Sequence, residues 1–193
     1  MAFQLWPVVR SALFEALFVV LGVVLALAAN EWREARLRQH QAETALVAIV
    51  GELQANREAT DQALRYHQAL LDSLLAYQQV GQAPSGRLFS RGYVAPAQVY
   101  ETAWTSATET GVLADFEYAR VLELSGVYAR QEAYTQQALN TGQIIYEELY
   151  RGGGASIVAN YRNLAFLIGA FVYREQQLVA LYDQTLEALA GAE

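Results

Sequence analysis

The stretch SALFEALFVVLGVVLALAA, residues 11–29, decides how the rest of the chain is read. Glu15 is its only charge. At ~1.5 Å of rise per residue, a helix of this length spans a hydrocarbon core of ~30 Å. Pro7 suits the first helical turn, where a missing N–H costs little. Trp6 and Trp32 bracket the run about 39 Å apart on a helix, which suits interface anchors in the two headgroup layers. The sequence therefore predicts a short tail over 1–10 and a transmembrane helix over 11–32. A cleaved secretory signal is the competing reading. The region before the run is almost uncharged, and Ala28 and Ala29 pass straight into NEWREARLRQ, so a retained anchor is expected.

Within the run, Ala12, Glu15, Val19, Gly22, Ala26 and Ala29 recur at alternating steps of three and four, which places them on one side of a helix. Small residues there let a second backbone approach, and an acidic group in hydrocarbon calls for a proton or a partner. These six are the candidate membrane helix-packing face, hydration of Glu15 near the interface being the alternative. Orientation follows arginine more than glutamate. Arg33, Arg36 and Arg38 follow the run and only Arg10 precedes it, which favours a cytoplasmic domain.

Composition removes many activities. Of 193 residues, 54% are hydrophobic and 17% charged, which argues against disorder. The absence of cysteine excludes disulfides, thiol chemistry, Cys-ligated zinc and Fe–S clusters. Thirteen basic against 20 acidic side chains, a net charge of −7, offer nucleic acid no basic footprint. His40 and His67 would stand about 40 Å apart on one helix and cannot share a metal. No Glu-x-x-His pair, nucleophile elbow or phosphate loop occurs. No cofactor and no enzyme activity is expected.

The residues Glu15, Gly22, Ala26, Asn30, Trp32 and Glu34, spaced E-x6-G-x3-A-x3-N-x-W-x-E, resemble the span of a bacterial single-span inner-membrane family of unknown function. The likeness is close over about residues 13–38. Beyond them, ETAWTSATETGVL and GVYARQEAY resemble the family's second helical pair in outline. The resemblance implies an inner-membrane anchor, a helical domain and no activity. Its members usually carry a basic tail before the span, which implies an extracytoplasmic domain, and that side is the expectation here.

Outside the span, residues 33–193 read as helices. Leu46, Ile49, Val50, Leu53, Thr60, Leu64, His67, Leu71, Leu74 and Leu75 trace one apolar side, with Glu52, Arg57, Glu58 and Arg65 elsewhere. This helix, running on from the membrane to about Tyr77, would extend ~70 Å beyond it. His67 is expected as a hydrogen-bonded residue at the core edge. Gly81, Pro84, Ser85 and Gly86 open a loop over 81–95. Helices are predicted over about 96–109 with Pro96 in the first turn, 115–151 with Asp115 as N-cap, and 156–190 with Ser156 as cap. Gly152–Gly154 make the turn between the last two. The fold expected is all-α: a membrane helix continuing into an elongated antiparallel bundle.

Twelve tyrosines suit either the core boundary or a partner surface. Arg87, Phe89, Arg91 and Tyr93 in the loop are the candidate partner contact, with packing onto the bundle the alternative. Arg120, Arg130 and Arg174 either line a ligand cavity or pair with nearby glutamates. Two functions remain: a non-catalytic subunit or scaffold packed against other integral membrane proteins, or a ligand sensor signalling through a partner. With about ten residues before the span and no second span after it, the subunit is favoured; a homo-oligomer is the further possibility.

Overall fold

The structure, a computed structural model, describes the backbone of residues 5–191 and the side chains of residues 14–191. The side chains of Trp6, Arg10 and Ala12 therefore lie outside the described residues. Among those described the chain is all-helical, with four α-helices: α1 Leu5–Gln79, α2 Thr102–Glu109, α3 Tyr118–Ala159 and α4 Tyr161–Ala190. Two 3-10 turns, Gly86–Phe89 and Val112–Asp115, lie between them. The chain forms two compact units, Met1–Thr44 and Ala45–Glu193.

In the first unit every described side chain from Phe14 to Gln41 is exposed, including Phe14, Leu17, Phe18, Val24 and Leu27. This part of α1 is long and apolar enough to cross a membrane, with none of its apolar window buried. Below it, Asn30 links its neighbours: its Nδ2 donates to Glu34 Oε1 at 2.6 Å and its Oδ1 accepts from Arg33 at 3.1 Å. The Arg36 guanidinium lies 5.1 Å from the Trp32 ring centroid, a cation–π contact.

In the second unit the three long helices share one rule. On α1 the buried positions are Ile49, Leu53, Asn56, Thr60, Ala63, His67, Leu70 and Leu74, alternating steps of four and three. Tyr161, Leu164, Ile168, Phe171, Glu175, Leu178, Tyr182, Thr185 and Leu189 do the same on α4, as do Leu124, Val127, Gln131 and Tyr134 on α3. A 3.5-residue mean period keeps a seam facing its partner along the whole helix, as in coiled coils. Polar residues occupy several seam positions. The same seam explains why α4 also has the length and apolarity of a membrane span, for 39% of its apolar window is buried. Leu122, Leu139 and Ile144, also on α3, point outward.

Three predicted boundaries move. The short helix begins at Thr102 rather than near Pro96, because the backbone of 92–101 bonds to side chains of the long helices. Asp115 ends a 3-10 turn, and Glu117 stands at the N-cap of α3. The glycine run breaks α3 only at Gly153, with φ 67° and ψ −173°, a region almost closed to other residues. Helical turns then resume, and α4 starts after Asn160. Ser156 caps nothing; its hydroxyl donates to Glu148.

Candidate functional site

The feature that organises the second unit is a strap, residues 92–103, non-helical as far as Glu101 and ending in the first turn of α2, held by buried and half-buried polar side chains. It starts at Gly92, whose φ of 106° turns the chain and whose carbonyl accepts the Tyr66 hydroxyl at 2.6 Å. From there the strap descends beside α1 through three polar rungs.

The rung nearest Gly92 contains His67, Glu175 and Tyr134, all buried. The backbone N–H of Ala95 donates to His67 Nε2 at 3.1 Å. His67 Nδ1 lies 3.0 and 2.9 Å from the two Glu175 oxygens. Tyr134 donates its hydroxyl to Glu175 Oε1 at 2.7 Å and accepts the N–H of Ala97 at 2.7 Å. Burial first, then the Glu175 charge and this bond, hold the Tyr134 phenol well above its ordinary range, against the small opposing pull of Ala97.

The middle rung is built from amides. Asn56 Nδ2 donates to the Tyr100 carbonyl at 2.6 Å, and its Oδ1 accepts the Tyr100 N–H at 2.8 Å. Gln131 Nε2 reaches the same carbonyl at 2.8 Å, while its Oε1 accepts from Asn56 at 3.0 Å and Tyr182 at 2.7 Å. Burial holds the Tyr182 phenol far above its ordinary value. The last rung is Glu52, which accepts the Ala103 N–H at 2.9 Å and the Tyr128 hydroxyl at 2.8 Å. Burial, followed by that bond, raises Tyr128 likewise, and Trp104 stacks on its ring at 5.0 Å.

These residues were only partly foreseen. His67 was expected to be hydrogen-bonded and is, though fully buried rather than at the core edge. Glu52 was assigned to the outer side of its helix, yet its carboxylate reaches the strap. Asn56, Gln131 and Glu175 went unnoticed. Their signal was positional: each is a polar residue in register with an apolar seam. GVYARQEAY, residues 126–134, carries Tyr128, Gln131 and Tyr134, one member of every rung.

The other candidate residues are distributed as follows. Glu15, Val19, Gly22, Ala26 and Ala29 are exposed on α1, as is Trp32. In the loop, Phe89 is buried and stacks against half-buried Tyr93 at 5.0 Å, so both pack onto the bundle. A Cβ on Gly154 would stand 2.7 Å from the Tyr93 hydroxyl, so the loop closes against the α3 glycines. Arg87 and Arg91 face outward, Arg91 lying 5.0 Å over the Tyr66 ring. Arg130 and Arg174 line an open groove of about 800 Å³ between α3 and α4, floored by Gly126, Ala129, Ala133 and Ala170. Of the two roles open to Arg130 and Arg174, pairing with nearby glutamates is not seen among the described residues. Among those residues, too, no three His, Asp or Glu side chains converge as a metal site requires. No protein-family model, curated protein or solved structure matches the chain.

Proposed function

We propose that the protein is a non-catalytic accessory subunit or scaffold, anchored by α1 in a bacterial inner membrane and packed there against other integral membrane proteins. One observation carries this reading. The side chains of Glu52, Asn56, His67, Gln131, Tyr134 and Glu175 bond one another and the backbone of residues 95–103, so the chemistry of these rungs serves shape. A catalytic interior would keep an acid, base or nucleophile facing a cleft. In this reading the Glu15–Gly22–Ala26 face of a single span meets the partner, and the bundle lies on the extracytoplasmic side, as the family resemblance implies. The bundle is then elongated and antiparallel. Support for that arrangement comes from side-chain pairs that rise along α1 as they fall along α4, Arg57 with Asp183 and His67 with Glu175. Mild-detergent purification from native membranes tests the proposal. The expected result is a discrete hetero-assembly with defined integral membrane subunits; a lone protomer turning over a substrate would refute it.

A second reading, a helical-bundle ligand sensor acting through a partner, draws on the groove between α3 and α4. Its two unpaired guanidinium groups suit an anion. Calorimetric titration with small dicarboxylates and phosphates separates the two: binding abolished by Arg130→Gln and Arg174→Gln favours the sensor.

A further inference from the structure

Donor and acceptor bookkeeping at the first rung leaves His67 a single state. Because Ala95 donates its N–H to Nε2, that nitrogen must carry a lone pair. The proton then sits on Nδ1, which faces the carboxylate of Glu175. Glu175 accepts this proton and that of Tyr134. An imidazolium would set a second N–H against the N–H of Ala95, two donors facing each other where His67 has 0% exposure.

We propose that residues 92–103 are an acid-released latch: a proton added at His67 Nε2 expels the Ala95 N–H and frees the Ala95 end of the strap from α1, while Asn56 and Glu52 still hold its far end. The rest of the rung survives protonation. Nδ1–H still faces Glu175, now as a full ion pair, and Tyr134 still donates to the same carboxylate. The bundle therefore has two arrangements of one rung, strap closed with neutral imidazole and strap open with imidazolium. The titratable groups around the ring are Glu175 from α4, Tyr134 from α3 and the adjacent Tyr66 on α1; the strap contributes only backbone. Phe171 closes the remaining side at 5.2 Å. Opening uncovers apolar surface under Val94, beside Ala95, which the neutral form hides.

Hydrogen exchange on the full chain in detergent micelles, corrected for intrinsic exchange rates, tests the latch at about pH 7.5 and about pH 5. Peptides covering 92–103 should lose about tenfold in protection at the lower pH, the factor that one net hydrogen bond represents, while α4 peptides keep theirs. His67→Gln can donate to Glu175 and accept from Ala95 without titrating, and should hold its protection at both values. Unchanged protection in the unaltered protein overturns the proposal, as does an equal loss in H67Q. Should H67Q fail to fold, the imidazole ¹⁵N shifts decide. An Nε2 that stays unprotonated at the lower pH would overturn it.

Discussion

The side chain of Asn56 pairs with both backbone polar atoms of Tyr100, donating at 2.6 Å and accepting at 2.8 Å. One amide on α1 thus does for the strap what a neighbouring strand does in a sheet. It lets ten or so residues run non-helically beside apolar seams without orphaned N–H and C=O groups, whose burial unpaired is costly.

Replacing that amide should therefore be expensive. Asn56→Leu, close in volume, leaves the Tyr100 N–H and part of Gln131 unsatisfied, at a cost of about 2–4 kcal/mol. Tyr182→Phe removes a single hydroxyl from the same rung and should cost about 1 kcal/mol. Urea unfolding of the full chain in detergent, followed by circular dichroism, measures both. Equal, small effects would mean that the rung does not hold the strap.

The glycines separate by conformation. Gly153→Ala forces a Cβ into a backbone region nearly reserved for glycine and should destabilise by about 1–3 kcal/mol. Gly51→Ala, inside α1 with nothing within 4 Å of a new Cβ, should stabilise by about 0.5–1 kcal/mol. Shifts of opposite sign in the unfolding midpoint are the expected readout.

Alkaline pH should undo the rungs from the tyrosine side. Tyr128, Tyr134 and Tyr182 hold their protons more tightly folded than unfolded, mainly through burial. The stability this represents is complete below the unfolded phenol value of about 10 and is lost as pH rises beyond it. Absorbance titration should show Tyr128, Tyr134 and Tyr182 ionising only together with loss of helix. A single smooth phase with the helices intact would contradict the buried placement.

In the apolar segment of α1, a Cβ on Gly22 meets no atom within 4 Å, so the side chain of Gly22→Leu starts without a clash in the protomer. Any effect then reports a neighbour. Gly22→Leu should release the protein from its native assembly, while Val23→Leu, off the stripe, should not. Native electrophoresis gives the fraction retained; equal retention would mean that the stripe faces only lipid.

Orientation has a direct assay, because the chain carries no cysteine of its own. Gln82→Cys, at an exposed loop position, should react with an impermeant thiol reagent in cells whose inner membrane is intact. Protection until that membrane is broken would place the bundle in the cytoplasm.

From sequence alone, the helical class, the apolar N-terminal segment and the rough number of long helices were legible, because all three are local. Length, periodicity and the positions of proline and glycine act over a few turns and need no partner. The strap was not legible. Val99 and Ala103 have helical spacing after Pro96, yet 92–101 runs non-helically because Asn56, His67 and Tyr134, distant in sequence, satisfy its backbone. The roles of Glu52 and Glu175 were hidden for the same reason. A carboxylate on a helix reads as solvated until a second helix and a strap bring donors to it, and hydrogen-bond partners more than seventy residues apart exist only in the folded chain.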